Sequence, residues 1–326
     1  MKFTDRHKNR LLKGFILFFF ILMFLFPYAS YKGASSGLML WFYNVLPTLL
    51  PFIIISNLMI RINIADKISA VLYPVLGRLF KVSPGGCYPI LIGFISGIPM
   101  GAKSVADLSA EGKVNYNESH FLLGMCNNAS PIFIMNYIAI NQLKMPGIRV
   151  PLFAIIYGSS VISAIICRNY QNHYKRKQTH TVLSISSAAS INQYKTVRFS
   201  FDILDKSIMN GFEVITRIGG YIILFSIFAQ IINEIGPSPS FYKAIIMGIF
   251  EITTGIDQVC KIRMDSNIKI VLVSFLTSFG GLSGLAQTKS VLGESRLSTK
   301  TYINIKILSS FIAILLSLLY VLFLKG

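Results

Sequence analysis

The chain has 326 residues, of which 53% are hydrophobic and only 13% charged, with a mean hydropathy of +0.61. A soluble domain carries about 25% charged residues, so this composition excludes an ordinary soluble protein and indicates several membrane spans of about 20 residues. Lys and Arg outnumber Asp and Glu by 31 to 13, but they cluster in loops and tails. This pattern indicates orientation in a lipid bilayer, and we expect no nucleic-acid partner.

The N-terminal region begins with a basic tail that leads into an apolar run. Residues 1–33 predict a cytoplasmic tail and a signal-anchor span, because further apolar segments follow and no clear cleavage site is present. A second span is predicted over 37–60, kinked by Pro47 and Pro51. Residues 61–83 have the apolar spacing of a helix that lies along the membrane surface.

An irregular stretch, GFISGIPMGAKSVADL, comes next. Because glycine and proline break it too often for a crossing, we interpret 84–112 as a re-entrant helical hairpin that turns at 97–101. The following helix has Asn117 as its predicted N-cap and is interrupted at 127–131. With a further span over 150–167, residues 34–167 form the predicted first repeat.

The second half has a similar organisation. A basic, serine-rich loop over 168–200 is expected in the cytoplasm, and residues 201–326 predict a second, inverted repeat with a hairpin over 267–294. The segment 239–262 is expected to lie at the interface; if it crosses, the repeats are parallel instead. Paired glycine-interrupted segments in two halves are typical of a transporter site. The predicted fold is therefore all-α integral membrane, with inverted repeats each containing a re-entrant helical hairpin and a broken transmembrane helix.

Three motifs carry a resemblance to a known family: GFISGIPMGAKSVADL, CNNASPIF and TSFGGLSGLAQTKSVL. They resemble the sporulation integral membrane proteins of the YlbJ type (stage V sporulation protein VV), which are grouped with gate or nucleoside-recognition domain proteins. The resemblance covers most of residues 35–325. It implies a multi-pass transporter that moves dipicolinic acid across the outer forespore membrane during sporulation, with the cell membrane as the other location. Whether several copies of the chain assemble into a homo-oligomer is left open by this resemblance.

A dicarboxylate dianion needs donors that replace its water, and broken helices offer backbone amides to anions. Lys103 and Lys289 follow the two predicted turns at matching places and are the predicted countercharges. Glu251, inside an apolar run, is the candidate for a coupling proton or cation. We predict no cofactor and no metal. The candidate substrate-binding residues are Gly97, Pro99, Gly101, Lys103, Ser104, Asn127, Asn128, Ser130, Thr277, Ser278, Gly280, Gly281, Ser283, Gly284, Gln287 and Lys289.

Each candidate also has a purely structural interpretation. The two lysines could extend to opposite membrane surfaces, and the glycines could serve close helix packing. Asn127 and Asn128 could satisfy backbone groups that the break frees, and Glu251 could lie on an interfacial helix. No nucleophile has a plausible base, so we predict no enzyme. The alternative functions are a nucleoside-type gate-domain transporter and a structural sporulation membrane protein without transport.

Overall fold

The computed structural model describes residues 2–178, 200–235, 240–293, 295 and 297–323. Within these ranges every regular element is a helix, and the all-α membrane class predicted from the sequence is confirmed. Four of the described helices are long and apolar enough to cross a membrane, and up to six spans result if each strongly bent pair counts as one.

The first half consists of helices that are interrupted at glycine and proline. Additional π-helical segments occupy Trp41–Val45, Tyr73–Gly77 and Phe133–Gln142. The α-helices are α1 (Lys2–Leu25), α2 (Pro27–Leu40), α3 (Leu46–Arg61), α4 (Ile64–Leu72), α5 (Arg78–Phe80), α6 (Cys87–Ser96), α7 (Met100–Ala110), α8 (Tyr116–Cys126) and α9 (Arg149–Gln178).

The second half contains fewer elements. Its α-helices are α10 (Phe201–Glu234), α11 (Phe241–Phe250), α12 (Ile252–Lys261), α13 (Ser266–Phe279), α14 (Gly281–Leu292) and α15 (Thr299–Phe323). The first part of the predicted basic loop over 168–200 is helical, because α9 continues to Gln178; residues 179–199 lie outside the described residues.

Helix α2 begins at Pro27, ten residues before the start that the sequence predicts for the second span. The chain bends by 105° between α1 and α2, at the point where Pro27 takes the first helical position. Helix α2 then packs on α10 through Gly33, where a Cβ would lie 2.6 Å from the Cα of Ile227. The predicted boundary at residue 33 therefore falls inside a helix.

The first spans of the two halves lie side by side in opposite directions. Gly33 contacts α10 near Ile227, whereas Asn57 donates from Nδ2 to Oδ1 of Asn210 at 2.8 Å, near the other end of α10. An antiparallel pair of this kind is what an inverted repeat requires. The segment 64–80 turns by 92° away from α3, which is the geometry expected of a helix along the membrane surface.

The first predicted hairpin is present and is formed by α6 and α7, which pack on each other. Its neighbour α8 begins two residues earlier than predicted, because the side chain of Asn115, not Asn117, accepts a hydrogen bond from the amide of Glu118 at 2.9 Å. Helix α8 ends at Cys126, and helical structure resumes at Pro131 and continues as the segment Phe133–Gln142. We call the interruption over 127–130 the first break.

The second hairpin lies in a different segment from the one predicted. Helices α11 and α12 fold back on each other at Glu251, whose backbone is extended, and Gly248 contacts Gly255 across the two arms. Each arm has 10 residues and is about 15 Å long, half the thickness of a bilayer core. The described part of the segment 239–262 is therefore a hairpin where a surface helix was expected.

The segment 267–294, predicted as a hairpin, is instead an interrupted span. Helices α13 and α14 follow one another in an apolar stretch of 27 residues from Ser266 to Leu292. The interruption, which we call the second break, is at Gly280, where φ is 83°. Each half thus contains a span, a hairpin, an interrupted helix and a last span, in the same order.

Candidate functional site

The tip of the first hairpin is seated on the first break. The amide of Ile98 donates to the carbonyl oxygen of Asn128 at 2.7 Å. Gly97, with φ of 75°, is so close that a Cβ would lie 2.6 Å from the amide nitrogen of Ser130. Glycines on both arms of the hairpin also face the carbonyl group of Cys126. Because only glycine permits such contacts, the glycines of the predicted turn hold the hairpin tightly against the break.

The two asparagines of the first break are used inside the protein. Asn127 donates from Nδ2 to Thr288 Oγ1 at 2.7 Å and to the Tyr302 hydroxyl at 2.8 Å, which ties the first break to α14 and α15. Asn128 donates from Nδ2 to the carbonyl oxygen of Met125 at 2.8 Å. Both side chains are buried, but only Asn128 satisfies a backbone group beside the break, because Asn127 donates to side chains of α14 and α15.

A lysine that the sequence analysis did not select lies next to both breaks. Lys306 on α15 is 0% exposed, and its Nζ donates to Asn128 Oδ1 at 3.1 Å and to the carbonyl oxygen of Asn127 at 3.4 Å. It therefore lies at the C-terminal end of α8, where a cation is favourable. Its Cε is also 3.9 Å from the position of a Cβ on Gly280, so the same side chain lies behind the second break.

The tip of the second hairpin reaches the second break. A Cβ on Gly281 would lie 3.3 Å from the amide nitrogen of Ile252. Glu251 is 3% exposed and is the N-cap of α12, since its Oε2 accepts from the amide of Thr254 at 2.7 Å and from its hydroxyl at 2.9 Å. The carboxylate is therefore held at a helix N-terminus, which favours its negative charge.

A cavity of about 400 Å³ lies where the two hairpin tips and the two breaks converge. The segments Trp41–Val45 and Phe133–Gln142 contribute further walls. A volume of this size holds one small molecule. The residues that were predicted from the sequence and line the cavity are Ser130, Glu251, Gly280, Ser283, Gly284 and Gln287.

Several predicted residues shape the surroundings of the cavity without lining it. The glycines and the proline of the first hairpin tip hold its backbone, while Ser96 and Ile98 line the cavity in their place. The residues predicted from the two breaks and this tip that do not line the cavity are Gly97, Pro99, Gly101, Asn127, Asn128 and Gly281.

Three predicted hydroxyl side chains are engaged away from the cavity. Each forms a hydrogen bond with a group on its own helix or on a helix packed against it, and none lines the cavity. Their partners are the carbonyl oxygen of Met100 for Ser104, the carbonyl oxygen of Val273 for Thr277, and the hydroxyl of Ser159 for Ser278. Ser104 and Thr277 are thus bonded within their own helices, whereas Ser278 links α13 to α9.

The two predicted countercharges do not reach the cavity. Lys103 is buried, but its Nζ forms an ion pair with Asp107 at 2.7 Å, one turn further along α7. Lys289 is exposed on α14. Neither lysine lines the cavity, so the structure brings Ser130, Gly280, Ser283 and Gly284 together without the predicted cations.

One wall of the cavity was missed by the sequence analysis. Asn136, Tyr137 and Asn141 line it from the π-helical segment Phe133–Gln142, and Asn44 lines it from the π-helical turn Trp41–Val45. Two carboxamides within the apolar run after the first break were the available signal, since polar side chains at membrane depth face a cavity or the protein interior. π-Helical turns are frequent at functional sites.

This arrangement defines a multi-pass α-helical membrane protein in which two hairpin tips and two interrupted helices line one cavity. The chain is similar to the sporulation integral membrane protein YlbJ of Bacillus subtilis (strain 168), with 27% identity over 324 residues, covering 91% of this chain and 79% of that protein. The resemblance to YlbJ-type sporulation integral membrane proteins is thereby confirmed. No family model matches the chain, and no solved structure matches it.

Proposed function

We propose that this chain is a transporter of a small organic dianion, with dipicolinic acid moved across the outer forespore membrane during sporulation as its substrate. The observation that carries the proposal is the convergence of two short hairpins and two helix breaks on one cavity of about 400 Å³. Interrupted helices at matching places in two inverted halves are typical of the substrate sites of transporters. In this proposal the N-terminus and the loop over 168–200 lie in the cytoplasm.

One corner of the cavity is suited to a carboxylate. Helix α14 begins there with Gly281 and has no side-chain cap, so its first amides are offered to a ligand near Ser283 and Gly284. Lys306 lies behind the adjacent Gly280 and adds positive potential to the same corner. We therefore assign to Lys306 the role of countercharge that the sequence pattern suggested for two other lysines.

A buried hydroxyl at the opposite hairpin tip also supports a ligand in this cavity. Ser96, at the end of α6, lines the cavity, is only 5% exposed, and its Oγ has no hydrogen-bond partner within the described residues. A buried hydroxyl without a partner costs free energy, so a small movement of the tip that turns Ser96 towards a hydrogen-bonding ligand is favoured.

A nucleoside is the second candidate substrate, and the chain would then be a nucleoside-type gate-domain transporter. It is favoured by the carboxamides of Asn136, Asn141 and Gln287 and by the aromatic ring of Tyr137, since a neutral ring with polar edges uses such groups. A neutral substrate also meets no like charge at Glu251. A structural protein without transport is the third alternative.

Uptake into liposomes containing the purified full-length chain separates these functions. We expect labelled dipicolinate to accumulate, and uridine to compete poorly with it. Lys306→Gln should weaken dipicolinate binding, because it removes a charge that lies behind the cavity wall without contacting the ligand. Lys289→Gln, which changes an exposed lysine on α14, is the matched control and should behave as the wild type.

Three results contradict the proposal. Uptake of nucleosides with no uptake of dipicolinate favours the second candidate, and uptake of neither favours the structural protein. Wild-type dipicolinate binding in a Lys306→Gln protein that melts at the wild-type temperature removes Lys306 from the site. The melting temperature must accompany the binding measurement because Lys306 also holds the first break.

A further inference from the structure

The cavity wall contains a carboxylate that the proposed substrate would have to approach. Within the described residues, Glu251 is the one acidic or basic side chain that lines the cavity. Its Oε2 is occupied by Thr254, whereas its Oε1 accepts no hydrogen bond from the described part of the chain. A dianion and an ionised carboxylate in one cavity of about 400 Å³ repel each other.

We propose that Glu251 is a proton-binding site that is loaded together with the substrate, so that the dianion crosses the membrane with a proton. The proposal rests on the proposed transport function. The proton enters from the aqueous side that supplies the substrate, binds to the carboxylate of Glu251, and leaves with the substrate on the other side. Protonation removes the repulsion and turns Oε1 into a hydroxyl donor for a substrate carboxylate.

The position of Glu251 in the fold allows this exchange. Glu251 is the tip residue between α11 and α12, and the tip is in contact with the second break through Ile252 and Gly281. Loss of the negative charge weakens the cap of α12, because a neutral carboxyl interacts less with a helix N-terminus than a carboxylate does. Proton binding is thereby linked to the hairpin that closes one side of the cavity.

The other charged groups on the second hairpin are already engaged. Asp257, two turns after Glu251 on α12, forms an ion pair with Lys261 at its exposed end. Lys243, on α11, donates from Nζ to the carbonyl oxygen of Asn233 at 2.5 Å. Neither Asp257 nor Lys243 lines the cavity, so Glu251 is the hairpin's ionisable group towards a ligand there.

The titratable groups on the neighbouring helices are also engaged or exposed. Lys269 of α13 donates to the carbonyl oxygen of Cys260, and Lys289 of α14 is exposed. Tyr137 donates to a backbone carbonyl oxygen in the first turn of α12 at 3.5 Å, while Lys306 behind the second break donates to the first break. The phenol of Tyr137 and the thiol of Cys260 are neutral at physiological pH. Glu251 therefore remains the carboxyl group available to a proton at the cavity.

A proton suits this position better than a divalent metal ion. In the described ranges no group of three His, Cys, Asp or Glu side chains could hold a metal. A divalent cation such as calcium takes six or more oxygen ligands, usually with more than one carboxylate, whereas a proton needs Glu251 alone. A monovalent cation such as sodium, which neutral oxygens can bind, is the competing ligand and is included in the experiment.

The experiment compares the full-length wild type with Glu251→Gln and Asp257→Asn in liposomes. Gln keeps an oxygen that caps α12 and resembles a permanently protonated Glu, and Asp257→Asn is the matched control on the same helix. For the wild type and the control, we expect the dipicolinate Kd to rise by up to about tenfold per pH unit over the range in which binding takes up one proton. For Glu251→Gln it should stay constant. Melting temperatures show whether each variant is folded.

Proton movement decides the proposal. A pH-sensitive dye inside the liposomes should record proton entry with dipicolinate for the wild type, and none for Glu251→Gln. Dipicolinate uptake by the wild type without proton entry, or uptake driven by a sodium gradient instead, overturns the coupling and leaves the proposed function standing. A wild-type protein that takes up no dipicolinate at any pH overturns both.

Discussion

Replacing Gly101 by alanine tests whether the first hairpin must touch the first break. A Cβ at this position would lie 2.7 Å from the carbonyl carbon of Cys126 and closer still to its oxygen. Both opposing atoms belong to the backbone, so no side-chain rotation relieves the overlap. Since ordinary contacts of a Cβ begin near 3.4 Å, helix α7 has to retreat by about 1 Å.

The cost of this retreat follows from two terms. Overpacking of a dense interior costs about 1–3 kcal/mol. Moving the tip also stretches the hydrogen bond of 2.7 Å from the amide of Ile98 to Asn128, and an unsatisfied buried backbone group costs about 1–3 kcal/mol. We therefore expect a free energy of unfolding lower by about 2–5 kcal/mol, together with weaker ligand binding in the adjacent cavity.

Thermal unfolding of the purified protein in detergent measures this change. Gly220→Ala is the matched control, because nothing lies within 4 Å of a Cβ there and alanine is the better helix former by about 1 kcal/mol. We expect Gly101→Ala to melt several degrees lower and Gly220→Ala to melt at or above the wild-type temperature. If Gly101→Ala melts with the control, the hairpin does not press on the break as described.

Two further predictions concern contacts that position the interrupted helices and the first spans. Asn115→Ala removes the side-chain cap of α8 and should lower the free energy of unfolding by about 1 kcal/mol. Asn115→Ser, which can still cap the helix, should retain most of the stability. Equal melting temperatures for both variants would contradict the observed cap. Asn57→Leu and Asn210→Leu, measured singly and together, should show a coupling of about 0.6–1.7 kcal/mol, the range found for hydrogen bonds between membrane helices. Strictly additive effects would show that the two spans are not held together by this pair.

The first hairpin could be recognised in the sequence because its turn requires glycine at a particular position. Gly97 has a positive φ and lies against backbone atoms of the first break, so the glycine that marks the turn has no substitute there. The first break was recognisable for a similar reason, since Pro131 cannot donate a backbone hydrogen bond to a continuous helix.

The second hairpin could not be located from the same signals. The stretch around Gly280 has the glycines of a turn, yet the chain continues in one apolar span, whereas the reversal at Glu251 uses an extended residue without glycine. The nearest glycines, Gly248 and Gly255, serve the contact between the arms rather than the tip. A local interruption of a helix is compatible with a hairpin and with a span that continues past it, and the packing of neighbouring helices selects between the two.

The amino-acid sequence by itself determined that the chain is an all-α membrane protein and where its first hairpin turns, and it indicated Ser130, Gly280, Ser283 and Gly284 at the cavity. These features depend on apolar length, on backbone freedom and on the missing amide of proline, all of which are properties of short segments. Only the tertiary structure decided which charges approach the cavity. Lys103 is paired with Asp107 and Lys289 is exposed, while Lys306 is buried beside both breaks, because depth and partners depend on residues distant in the chain.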